Sequence, residues 1–98
     1  MKDNLKNIGV WGQRHYNYLK KESPTVVKVM RLEGKLEQYL RTIDRQANEI
    51  FSQLVKQLAE SEGITEQLKA ENQMKWVRRM NSIRNRAMEI VNKELIYK

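Results

Sequence analysis

The sequence predicts an all-α fold: a long antiparallel helical hairpin with a short N-terminal helix packed across it. Helix breakers are rare, with one proline and four glycines among 98 residues. Apolar residues recur at helical spacing, and no stretch alternates between apolar and polar residues as a half-buried strand does. A chain of this length is expected to form a single domain over residues 1–98, with 1–9 as a flexible N-terminus.

The first long helix is predicted over residues 24–62. Ser23 and Pro24 are typical of a helix start, because serine caps free N–H groups and proline at the first helical position loses no hydrogen bond. Apolar residues then recur every seven positions at Val29, Leu36, Ile43 and Ile50. Because this row keeps its phase across Gly34, we expect the helix to continue through that glycine. A break near 33–35 is the alternative, since glycine costs about 1 kcal/mol relative to alanine in a helix.

The second long helix is predicted over residues 65–97. Gly63 is expected to end the first helix in a left-handed conformation, and Thr65 to cap the second. The seven-residue spacing returns at Trp76, Ile83, Ile90 and Tyr97. A tight turn at Gly63 makes the two helices antiparallel, and the shorter helix, at about 10–22, lies across them.

The composition favours a polyanionic partner. Lysine and arginine number 19 against 12 acidic residues, which gives a net charge of +7. Such a balance favours DNA, RNA, an anionic surface or an acidic protein face. Cysteine is absent, which excludes disulfides, thiolate nucleophiles and cysteine–zinc sites. No apolar run approaches the ~18 residues that span a bilayer, so we expect a cytoplasmic protein with no membrane partner.

No catalytic constellation is found, and we expect neither an enzyme nor a cofactor or metal. His15 is the single histidine and is expected at the surface or in packing, with no second ligand to complete a zinc site. Glu37 and Asp44 could form a carboxylate pair, but solvation or ion pairing with Arg41 or Arg45 is favoured. Phosphate-binding glycine loops and serine–histidine–acid sets are absent.

The large apolar side chains have their own alternatives. Trp76 lies on the seven-residue row and is expected in the core. Trp11 stands between two glycines, and the sequence does not decide between a packed and an exposed position. Four methionines are expected to fill the core rather than to form an adaptable binding surface: Met30, Met74, Met80 and Met88.

The candidate site lies in KWVRRMNSIRNRAMEIV, residues 75–91, which carries five basic side chains and no acid before Glu89. If the row containing Trp76 and Ile83 faces the core, the opposite side is an arc of cations and amides. Arginine fits phosphates and guanine edges, and asparagine fits adenine. The alternative is a solvated face. The predicted nucleic-acid-binding residues are Lys75, Arg78, Arg79, Asn85 and Arg86, with Arg14, Lys20 and Lys21, and with Lys28 and Arg31 as further contributors.

Arg84 is expected to differ from its neighbours. It falls at the edge of the apolar stripe, between Val77 and Val91. The sequence therefore predicts a partly buried, structural arginine paired with an acid on the other long helix, and Asp44 is the candidate.

Two stretches of the chain resemble the TnpV family of transposon-encoded proteins of Gram-positive mobile elements. They are LVKQLAESEGITEQLKAENQMKWVRRMNSIRNRAMEIV and, upstream of it, GKLEQYLRTIDRQA. The resemblance is expected to cover residues 12–98 and is most specific over 54–91, where WVRRMNSIRNRA is distinctive. It implies a small accessory protein of transposons and conjugative elements, with no catalytic residues to carry over. It also implies that this chain begins after a leading segment common in the family, and that Lys75 replaces a common acid.

Three functions remain open at this point. The first is a DNA- or RNA-binding accessory protein whose affinity falls steeply with salt. The second is a protein-binding inhibitor or adaptor that contacts a mobile-element recombinase or blocks a host RNA-guided defence nuclease, as anti-CRISPR proteins do. The third is a structural coiled-coil module that dimerises. A homodimer is compatible with all three.

Overall fold

The computed structural model describes Leu5 and residues 8–98, and every regular element in that part of the chain is helical. The elements are α1 (Val10–Glu22), α2 (Pro24–Leu32), α3 (Leu36–Ser61), α4 (Glu66–Glu71), α5 (Gln73–Val91) and a π-helical turn (Asn92–Ile96). The all-α prediction is confirmed. The predicted flexible stretch 1–9 lies partly outside the described residues; within it, Ile8 is buried and Leu5 packs against the core.

The prediction of one unbroken helix over 24–62 is wrong. Helix α2 ends at Leu32 and α3 begins at Leu36. Between them Gly34 has a φ of +70°, a left-handed conformation that glycine adopts without steric cost and that ends a helix. The seven-residue spacing of Val29, Leu36 and Ile43 continues across Gly34. Apolar spacing alone therefore did not reveal the break between α2 and α3.

The turn at Gly34 repeats the turn at Gly63, where φ is +68°. At each glycine, the next residue donates its backbone N–H to a carbonyl five positions earlier, as in the Schellman motif. These bonds join Lys35 to Met30 and Ile64 to Ala59, both at 2.9 Å. The left-handed end predicted at Gly63 is therefore confirmed. The same Glu–Gly pair occurs at both turns, as Glu33–Gly34 and as Glu62–Gly63.

The prediction of a continuous helix over 65–97 is also wrong, because this segment is divided into α4, α5 and the π-helical turn. Thr65 caps α4 by accepting the backbone N–H of Leu68 at 3.2 Å, as predicted. Asn72 then leaves the helical conformation, and its side chain caps α5 by accepting the N–H of Lys75 at 3.1 Å. Asparagine favours such caps over helix interiors because its amide competes for backbone groups.

Helices α3 and α5 pack side by side and run in opposite directions. Near the end of α3, Leu58 packs in a cluster with Ile83. Nearer the start of α3, Ala47 shares a cluster with Val91. Later residues of α3 thus meet earlier residues of α5. Shared apolar burial of this kind is the main stabilising contribution to a two-helix contact.

Helix α1 lies close against α3 at Gly12. A Cβ added there would lie 2.9 Å from the carbonyl oxygen of Leu40, so only glycine permits this approach. The Gly12 N–H, one of the free donors in the first turn of α1, donates to Asp44 Oδ1 at 3.0 Å. Asp44 therefore caps α1 from the neighbouring helix, where a carboxylate also favours the positive end of the helix dipole.

His15 is a buried packing residue that joins three elements. Its Nδ1 lies 2.7 Å from the carbonyl oxygen of Ile96, and its Nε2 lies 2.8 Å from the Tyr39 hydroxyl. Because a carbonyl only accepts, Nδ1 donates its proton to Ile96, and the Tyr39 hydroxyl completes the hydrogen bonding of the ring at Nε2. Burial raises the pKa of the Tyr39 phenol. Helix α1 is thereby tied to α3 and to the π-helical turn.

The tryptophans and methionines divide between core and surface. Trp11 is buried, with its ring 5.6 Å from that of Phe51, and Trp76 is half-buried beside the cluster that contains Met80. Met30 and Met88 are partly buried. Met74 is 77% exposed, so the expectation that it fills the core is wrong.

The described chain is elongated, which leaves apolar side chains in solvent. It measures 55 × 22 × 17 Å with a radius of gyration of 17.1 Å, whereas a compact domain of this length has about 13 Å. The exposed large apolar residues are Val10, Val26, Val29, Leu32, Ile50, Met74, Val77, Ile90 and Tyr97. Several of them lie on the seven-residue rows, so those rows extend beyond the buried core.

Candidate nucleic-acid interface

The exposed side of α5 carries the cations and amides of the candidate site. The helix buries Met80, Ile83, Ala87 and Val91 against its neighbours. All five predicted residues of the opposite side are exposed: Lys75, Arg78, Arg79, Asn85 and Arg86. The 3.6-residue period therefore assigned the sides of α5 correctly, because burial of one stripe fixes what the rest of the helix presents.

Three of these cations share one shallow depression. Lys75, Arg78 and Arg79 line it together with Ser82. Within the part of the chain that the structure describes, no carboxylate forms an ion pair with any of the three. Their positive charge is therefore not taken up in an ion pair, although Glu62 lies near enough to interact with the charge of Arg79. The Ser82 hydroxyl adds a hydrogen-bond donor beside them.

Arg86 has a partner, which the sequence did not predict. Its Nη1 lies 2.7 Å from Glu62 Oε2, and its Nη2 lies 3.1 Å from Glu62 Oε1. The hydrogen bond from Arg86 lowers the pKa of Glu62, the charges of Arg86 and Arg79 lower it further, and the same bond raises the pKa of Arg86. Arg86 is therefore partly neutralised and directed toward the end of α3.

The predicted pairing of Arg84 with Asp44 is wrong. Arg84 is exposed, because the edge of the apolar stripe faces solvent there and Val77 beside it is itself exposed. Asp44 is engaged at the N-terminus of α1. The ion pair expected for Glu37 is present, with Arg41 at 3.0 Å.

The cations of α1 form a second group. Arg14 is half-buried, with its guanidinium carbon 5.2 Å from the centre of the Trp11 ring. Lys20 lies over the Tyr16 ring at 4.4 Å, and Lys21 is exposed. Helix α1 packs mainly against α3, and also against α2 and the π-helical turn, while Trp11 shares a core cluster with Val91 of α5. Of the eight predicted site residues, Lys75, Arg78 and Arg79 line one depression together.

Glu62 is the neighbour of the candidate site that sequence reasoning missed, whereas Ser82 was expected beside Lys75 and Arg86 on the exposed side of α5. The signal for Glu62 was present, because it precedes Gly63 at the turn that brings the two arms together. Beside the basic depression, Met74 and Val77 line an apolar one that shares Arg78 with it. An arginine between a cationic and an apolar depression can contact either a phosphate or a protein surface.

Other kinds of site find no support among the described residues. That part of the chain holds no group of three histidine, aspartate or glutamate side chains placed to bind a metal ion. None of its helices combines the length and apolarity that a bilayer crossing requires.

A protein-family model described as transposon-encoded protein TnpV matches residues 1–96. The chain belongs to the TnpV family. The match begins at residue 1, not at residue 12 as expected from the resemblance. This TnpV protein is accordingly a transposon-associated accessory protein. No curated protein and no solved structure matches it.

Proposed function

We propose that this TnpV protein is a non-enzymatic accessory protein that binds DNA or RNA through the exposed side of α5. The observation that carries the proposal is the depression lined by Lys75, Arg78, Arg79 and Ser82, whose cations form no direct ion pair among the described residues. Phosphate binding needs uncompensated positive charge, since each bound phosphate releases counterions.

The dimensions of the depression fit a phosphate backbone. Residues 75–82 rise about 10 Å along the helix, a length over which one strand of B-DNA carries about three phosphates. Arginine forks at 78 and 79 suit phosphate oxygens. Asn85 lies further along the same exposed side and has the donor and acceptor that read adenine.

A second candidate function is protein binding by the same side of α5. The apolar depression at Met74 and Val77 favours it, because Arg78 then stands between apolar and cationic contacts as arginine often does in protein interfaces. In this role TnpV is an inhibitor or adaptor that docks on an acidic face, such as that of a mobile-element recombinase or a host RNA-guided nuclease.

Titration separates the two functions. The purified chain is titrated with random-sequence duplex DNA, single-stranded DNA and structured RNA at about 50 and 200 mM salt. Micromolar or tighter binding that weakens steeply with salt is the expected result. Absence of binding to all three at the lower salt concentration overturns the nucleic-acid proposal and leaves protein docking as the candidate.

A further inference from the structure

Helix α2 is apolar on the side that faces solvent. Val26 and Val29 are exposed, and Leu32 is 80% exposed. Val27 is buried and Met30 is partly buried on the other side, against α1 and α3. A nine-residue helix thus carries apolar side chains both toward the core and away from it.

The geometry of α2 places no charge at the centre of its exposed side. At 100° per residue, Thr25, Val29 and Leu32 point away from the buried residues, with Val26 beside them. Lys28 lies at one edge of this stripe, whereas Arg31 is half-buried on the side of Val27. We call Val26, Val29 and Leu32 the α2 stripe. Helices that are apolar on two sides are normally covered on both.

The charge around the α2 stripe selects its occupant. Helix α2 contains no acidic residue. Residues 20–35 hold five basic and two acidic side chains, and one of each is used in the ion pair between Lys35 and Glu33. A second copy docked through the same stripe would bring like charges together, which disfavours self-association. A phosphate backbone offers no apolar surface to cover valine and leucine.

We propose that α2 is a docking helix for a partner protein that presents an apolar groove flanked by aspartate and glutamate. The three stripe residues recur every third position and enter such a groove as anchors, in the helix-in-groove mode. Lys28, at the edge of the stripe, meets a flanking carboxylate. Pro24 and Gly34 fix where the helix starts and ends, so α2 is presented preformed and little ordering is needed on binding. The proposal is independent of what α5 binds.

Selection from a randomised library of displayed helical peptides tests the proposal. The full chain is the target, and a Val29→Asp/Leu32→Asp double variant is the counter-target. We expect enriched peptides to combine apolar anchors with net negative charge and to bind the double variant at least about tenfold more weakly, since two buried aliphatic anchors are lost. Ile50→Asp is the matched control, because Ile50 is 41% exposed, close to the 46% of Val29, but lies in α3; the peptides should bind this variant as tightly as the wild type.

Four results would overturn the proposal. Enriched peptides could lack acidic residues, or could bind the double variant as tightly as the wild type. Sedimentation could reveal a dimer that Val29→Asp/Leu32→Asp abolishes, which would make a second copy the occupant. Vesicles of phosphatidylglycerol could bind the wild type but not the double variant, which would make a lipid surface the occupant of the α2 stripe. Circular dichroism and thermal unfolding establish that both variants fold, as expected for substitutions at exposed positions.

Discussion

Arg86 and Glu62 form a two-contact ion pair between α5 and the end of α3, at 2.7 and 3.1 Å. The pair holds Glu62, the residue between α3 and the Gly63 turn, against α5. It also removes one cation from the basic side of α5, since a phosphate must compete with Glu62 for the same guanidinium. Glu62 therefore limits the affinity of the surface that we propose for nucleic acid.

Glu62→Gln is expected to tighten the binding of nucleic acid. The substitution frees Arg86 for one more phosphate, so the plot of log affinity against log salt should steepen by about 0.9 for duplex DNA. Glu37→Gln is the matched control, because it removes an acid that is ion-paired with Arg41 on α3. Equal slopes for Glu62→Gln and Glu37→Gln would show that Arg86 does not contact the ligand.

Acid is expected to destabilise the wild type through the same pair. The hydrogen bond from Arg86 lowers the pKa of Glu62 from the usual value of a glutamate. A lowered pKa in the folded state stabilises the fold above the unfolded value and loses that contribution as the pH falls through the folded value. Urea unfolding at pH 6 and pH 3 should therefore show a larger loss of stability for wild type than for Glu62→Gln. Parallel losses would contradict a native ion pair.

Gly34→Ala is expected to lower the free energy of unfolding by about 1 kcal/mol. An added Cβ at Gly34 meets no atom within 4 Å, so the cost comes from the left-handed φ of +70°. Gly34→Asn is the control and should cost less, because asparagine tolerates this conformation. If Gly34→Ala were neutral or stabilising, α2 and α3 would form one helix in solution.

Asp44→Ala is expected to destabilise the chain by about 0.5–2 kcal/mol, the usual cost of losing a helix cap. The N–H of Gly12 loses its acceptor, and α1 loses a carboxylate at its positive end. Asp44→Asn keeps an acceptor oxygen and should cost less. Equal and negligible effects of the two substitutions in chemical denaturation would mean that Asp44 does not cap α1.

The sequence predicted correctly those structural features that are determined by residues close together along the chain. One apolar stripe decided which side of α5 faces solvent, so the exposure of Arg78 and Arg79 followed from spacing alone. The Gly63 turn and the Thr65 cap were predictable because their chemistry lies within a few residues. Gly34 carries the same signal, but the apolar row that keeps its phase on both sides argued for continuity.

The remaining features depend on contacts between distant residues. The pairing of Arg86 with Glu62 depends on how far α3 and α5 are shifted along each other. The cap of α1 by Asp44 depends on how the chain before α3 brings α1 back against it. Whether Arg14 joins Arg78 in one surface depends on where α1 packs, and the main neighbour of α1 is α3. No local spacing encodes these relationships.

The most direct test of the proposed interface compares two triple variants that remove the same charge. Lys75→Gln/Arg78→Gln/Arg79→Gln changes the depression on α5, whereas Arg45→Gln/Lys56→Gln/Lys93→Gln changes exposed cations elsewhere. Duplex DNA is titrated at several salt concentrations. We expect the α5 variant to lose about two to three units of salt slope, since each phosphate contact contributes about 0.9, and the control to retain the wild-type slope. Equal losses in both variants would show that binding follows net charge alone and would contradict a defined interface on α5.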